Sequence, residues 1–143
     1  MQQCSTAMVF YMYLVSGAFV HAFKSLFEHY SDKPLDIDFC GKPFPIQYEY
    51  AEDLFRKNAM QTGITPPTFF FGIGDNPKSD IRGANAAGCH WRSILVRTGV
   101  FQGGSNDEQD PADFVVHDVL EAVRLVEKLV CDGNVESDNK CGI

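Results

Sequence analysis

The chain has 143 residues, 45% of them hydrophobic, which is enough to bury one core and too short for several. Nineteen acidic side chains against twelve basic ones leave a net charge of −7, and no stretch builds a basic stripe, so the sequence excludes a nucleic-acid partner. The five cysteines, Cys4, Cys40, Cys89, Cys131 and Cys141, form no CxxC pair and read as reduced thiols in a cytoplasmic or mitochondrial-matrix compartment.

Ala7 to Phe23 is almost uncharged. A membrane-spanning helix needs about twenty apolar residues, and this run is shorter and interrupted by Ser16, Gly17 and His21. No Lys or Arg precedes it, as a signal peptide would require. A buried or poorly ordered segment therefore ranks ahead of membrane association. Phe19, Ala22, Phe23, Leu26, Phe27 and Tyr30 share one helical stripe, read as packing, and Ser31-Asp32-Lys33-Pro34 ends that helix. Ile37 to Cys40 reads as a short strand leading into Gly41-Lys42-Pro43. Pro45 then starts a second helix, with Ile46, Tyr50, Ala51, Leu54 and Phe55 as its inner face, stopped by Gly63 and Pro66-Pro67.

The stretch from Phe69 to Gly88 organises the rest of the chain. Three aromatics and Ile73 give the strand from Thr68 to Ile73 the composition of one buried on both faces. It stops at Gly74, so Asp75 sits at the carboxyl end of a strand, where open parallel sheets bind ligands. Asn76 and Pro77 turn the chain, Ser79 reads as an N-cap, and Asp80 to Ala87 reads as a helix closed by Gly88. With the strand from Ser93 to Val96 this makes a β-α-β unit with parallel strands. The turn offers two carboxylates, Asp75 and Asp80. A hard cation such as Mg²⁺ takes one or two protein carboxylates together with waters and substrate phosphate oxygens.

Downstream, Thr98 to Asp113 is a polar, Gly- and Asp-containing loop that reads as a flexible connection. Phe114 to Val116 is a further strand. Asp118 and Glu121 make a capping-box-like start to a helix whose Val119, Val123, Val126 and Val130 point inward. The glycines at 72 and 74 lack the third member of a dinucleotide fingerprint, and Cys89-His90 is too sparse for zinc.

GDNPKSDIRGANAAG, with Gly41-Lys42-Pro43 upstream and SILVRTGVF from Ser93 to Phe101 downstream, resembles the haloacid dehalogenase superfamily of hydrolases. Within it the chain is most similar to class IIA and to the mitochondrial hydrolases named after the cat eye syndrome critical region. The resemblance runs from about Ser16 to Leu129. It implies a Rossmann-like core of parallel sheet and helices, here partial: residues 1–15 stand apart, 16–40 are a cap remnant, 41–132 the C-terminal half of the core, and 133–143 a polar tail.

The resemblance further implies Mg²⁺-dependent phosphoryl transfer from a small phosphorylated metabolite through an aspartyl-phosphate. Lys42 would clamp the phosphate, Asp75 and Asp80 would hold the metal, and Asn76 would steady the loop. The superfamily's nucleophile is the first Asp of a DxDG-type segment, and none is present: Asp36-Ile37-Asp38 is followed by Phe39-Cys40 instead of a glycine turn. The chain alone is therefore expected to lack turnover. The alternative is a non-catalytic fragment or pseudoenzyme. Without the nucleophile strand beside it, the Phe69 to Phe71 strand would be an open edge, through which the chain could self-associate.

Overall fold

A computed structural model describes residues 17–133; the segment 1–15 and nearly all of the polar tail lie outside the described residues. The chain divides into two compact units between Asp38 and Phe39.

In the first unit, α1 spans Phe19–Ser31 and ends at Asp32, whose φ of 50° is left-handed. Lys24 and Glu28 pair at 2.6 Å, and both bind the backbone of Leu35, which folds the adjoining stretch back on the helix. The aromatic stripe does not pack: Phe19 is 71% exposed, Tyr30 82%, and no residue of α1 is buried. Among the described residues the unit has no strand and no second α-helix for the stripe to cover. The strand expected over Ile37 to Cys40 is irregular chain.

The second unit runs α2 (Ile46–Thr62), β1 (Phe70–Gly74), a π-helical turn (Pro77–Ile81), α3 (Arg82–Ala86), β2 (Trp91–Val96), β3 (Phe114–Val116) and α4 (Val119–Cys131). The sheet is parallel throughout in the order β1-β2-β3, with Phe70 opposite Trp91 and Ile94 opposite Phe114. A partial α/β Rossmann-like core is thus present. All six residues of β2 are buried, while β1 is only half-buried. The expectation of a β1 buried on both faces fails because, among the described residues, β1 is the edge strand and has a neighbour on one side only.

Side chains alternate between two faces of the sheet. On one face Phe70 and Trp91 pack with Tyr48 of α2 and Ala84 of α3, and beside them Leu95 meets Ile81 and Ala112. On the other, Ile94 and Val96 meet Ala122, Leu125 and Val126 of α4.

Both helix faces differ from the periodic reading. In α2 the buried residues are Tyr48 and Ala59, while Ile46, Tyr50, Leu54 and Phe55 are exposed. The helix is turned so that the Glu52 carboxylate accepts from Trp91 Nε1 at 2.6 Å and lies 2.7 Å from His90 Nε2, a polar tether that a hydrophobicity pattern does not register. In α4 the small Ala122 is fully buried, whereas Val119, Val123 and Val130 are exposed. Its cap is as read: Asp118 accepts from Glu121 N at 2.9 Å. The loop after β2 is cross-linked, with Asn106 bonded both ways to Ala112, and with Arg82 donating two 2.8 Å bonds to Asp110. Among the described residues Cys40 and Cys131 are free cysteines.

Candidate active site

The site forms where β1 ends. Gly74 is needed there because a Cβ would overlap the side chain of Asp80. The next residues turn tightly: Asn76 is the cap, its Oδ1 accepting from Lys78 N at 3.1 Å and its carbonyl from Asp80 N at 2.8 Å. The cap is therefore Asn76, and the Asp80 to Ala87 helix expected to start at Ser79 is a π-helical turn followed by one short α-helical turn. Pro77 at the start fixes the entry, and its missing N–H costs nothing in a first turn.

This turn folds the Asp80 carboxylate back toward β1. Its Oδ2 accepts from the backbone N–H of Asn76 at 3.1 Å, and its Oδ1 accepts from Lys42 Nζ at 2.5 Å. Lys42 reaches it from a turn closed by Phe44 N to Gly41 O at 3.0 Å, whose central Lys42–Pro43 peptide is cis. The pair is asymmetric: Lys42 is half-exposed and the Asp80 side chain is 11% exposed. The Asp80 hydrogen bond raises the Lys42 ammonium above its ordinary range, desolvation works against it, and attraction to Asp80 and Asp75 adds to the rise.

Asp75 is held by the loop after β2. Its Oδ2 accepts from Val100 N at 2.6 Å, and its carbonyl accepts from Phe101 N at 2.9 Å. Oδ1 lies outside that bond, which leaves it available as a donor to a hard cation. Tyr48 supports the turn from α2, its hydroxyl donating to Asp80 O at 3.2 Å; burial first, and then the Asp80 charge, push its phenol up. A cavity of about 300 Å³ opens beside these groups, lined by Lys42, Gln47, Tyr48, Asp80, Gly72 and Trp91 among others.

The sequence-derived set thus falls into one neighbourhood: Lys42, Asn76 and Asp80 are directly bonded, and Asp75 lies within electrostatic reach of Lys42. Among the described residues no cluster of three or more His, Cys, Asp or Glu forms a metal cage. Asp80 has Oδ1 on Lys42 and Oδ2 on Asn76 N, so a hard cation here would take Asp75 Oδ1 and complete its shell with water and substrate oxygens. Sequence reasoning missed Tyr48, which it left off the inner face of α2, and the hold of the Val100 and Phe101 amides on Asp75.

The HAD-hydrolase-like family profile matches residues 39–122, which covers the whole of this site. The chain belongs to the HAD-like hydrolases. Over 112 residues it is 46% identical to a cardiolipin synthase (CMP-forming) / mitochondrial hydrolase fusion protein of Schizosaccharomyces pombe, an alignment covering 78% of the chain and 18% of the fusion protein. It is 30% identical over 132 positions to a mitochondrial hydrolase of Saccharomyces cerevisiae, covering 78% of the chain and 37% of that protein. The HAD-like chain therefore spans well under half the length of either relative. Among its described residues no helix is long and apolar enough to cross a membrane.

Proposed function

We propose that this chain forms the phosphate- and metal-binding half of a Mg²⁺-dependent phosphatase acting on small phosphorylated metabolites, in mitochondria as the relatives' names suggest. The observation that carries the reading is the Lys42–Asp80 bond, spanning 38 positions, beside Asp75 at the end of a parallel strand. The chain contributes a cation at Lys42 to neutralise a phosphoryl oxygen. It contributes a carboxylate oxygen at Asp75 to hold the metal, and Asp80 to aim Lys42 and stiffen the turn. Mg²⁺, when bound, supplies charge that offsets the negative substrate.

The attacking carboxylate is not among these residues, since no DxDG segment occurs in the sequence. It would come from a segment outside these 143 residues, forming an aspartyl-phosphate that water then hydrolyses. The test is phosphate release from small phosphomonoesters by a longer protein that carries both this chain and a DxDG segment. Lys42→Met is expected to lower turnover by about 100-fold or more. Wild-type turnover in that variant would sink the proposal.

A second reading, binding without catalysis, is favoured by the edge position of β1. Its outer backbone groups, which no other described strand pairs, and the apolar side chains around it suit pairing with a second copy of the chain.

A further inference from the structure

The loop after β2 holds Asp75 in a way no motif records. Val100 N donates to Asp75 Oδ2 at 2.6 Å, and Phe101 N donates to the Asp75 carbonyl at 2.9 Å, so side chain and backbone of one residue are fixed by consecutive amides. Gly99 lies so close that a Cβ on it would overlap the Asp75 carboxylate, with Oδ2 the nearest atom. By contrast, a Cβ on Gly104, in the same loop, would meet nothing within 4 Å. The loop is itself anchored: Arg97 N donates to His117 O at 3.1 Å, and Arg82 bonds Asp110 further along.

We infer that Gly99 and Val100 are positioning residues for Asp75: the Val100 amide takes Oδ2, the bare α-carbon of Gly99 leaves room for it, and Oδ1 is left outside that bond, where it would serve a cation. The inference rests on the reading of Asp75 as a metal ligand. A charge-assisted bond of this length rotates and fixes the carboxylate before any cation arrives, and the second partners of ligating carboxylates usually matter to affinity by about 10- to 100-fold. A side chain at position 99 must push the carboxylate off the amide or push the loop away. Either movement spoils Oδ1 without touching it.

The experiment is Mn²⁺ titration of the 143-residue chain, read by electron paramagnetic resonance, with Gly99→Ala, Gly104→Ala and Asp75→Asn alongside wild type. The expected result is at least about a tenfold loss of affinity in Gly99→Ala, none in Gly104→Ala, and loss of binding in Asp75→Asn. Wild-type affinity in Gly99→Ala, with binding lost in Asp75→Asn, overturns the positioning role and leaves the metal role standing. Wild-type affinity in Asp75→Asn overturns the metal role itself, and the inference with it. Should Gly99→Ala fail to fold, hydrogen exchange at the Val100 amide decides. Asp75→Ala should speed its exchange by removing the acceptor, and unchanged exchange overturns the inference.

Discussion

Lys42 Nζ lies 2.5 Å from Asp80 Oδ1, and the two side chains differ sharply in exposure, 51% against 11%. A half-solvated ion pair of this kind adds little to stability, typically below about 1 kcal/mol. Lys42→Met should therefore leave thermal unfolding nearly unchanged while removing the positive charge the site needs. Because the folded-state pKa of Lys42 is raised, the contribution of the pair is fully present below the unfolded lysine value of about 10.4 and is lost as pH climbs through the folded value. Denaturant melts of wild type and Lys42→Met should coincide within about 1 kcal/mol from about pH 6 to 9. A larger gap would mark the pair as structural.

The acid limb has a different source. Arg82, hydrogen-bonded in bidentate fashion to Asp110, holds that carboxyl below its usual range. A depressed folded-state pKa means that the unfolded chain binds the proton first. The stabilisation is present above about pH 3.9 and is lost as pH falls through the folded value. Asp110→Asn should flatten the pH dependence of stability below about pH 4. An unaltered acid limb in this variant would rule Asp110 out as its origin.

Packing beneath the site is tight at Gly83, where a Cβ would run into the ring and hydroxyl of Tyr48. Gly83→Ala is expected to cost about 1–3 kcal/mol by overpacking. The cost should largely disappear in a Tyr48→Ala background, since the clash partner is then gone. Equal costs in both backgrounds would show that helix geometry, and not Tyr48, sets the penalty.

The open side of β1 predicts association. Sedimentation equilibrium of the chain should show species heavier than the 16.0 kDa monomer. Ile73→Lys, at a position 38% exposed on that strand, should shift the population back toward monomer. A monodisperse wild-type monomer with a cooperative melt would contradict the reading.

The parts of the fold set by local chemistry were legible in the sequence: the Gly63 stop of α2, the Asp118 cap of α4, the parallel β1–β2 pair, and Asp75 at a strand end. The rest depends on which way a helix is rolled. Apolar spacing pointed Ile46, Tyr50 and Leu54 inward, but Glu52 bonding Trp91 and Tyr48 bonding the Asp80 carbonyl decide the orientation of α2. Valines likewise outranked Ala122 in the pattern of α4, although a small residue is what lets that helix approach the sheet. At the site, residue type pointed to the Asp75 and Asp80 carboxylates and the family resemblance to Lys42 and Asn76, while backbone donors such as Val100 N carry no side-chain signature at all.

The most direct test of the central claim is a crystal of the chain soaked in Mn²⁺ and probed by anomalous scattering. The expected result is a peak within direct coordination reach of Asp75 Oδ1, at about 2.1 Å, with Lys42 still bonded to Asp80. A crystal with its manganese elsewhere, or with Asp75 bare while other carboxylates are occupied, would contradict it.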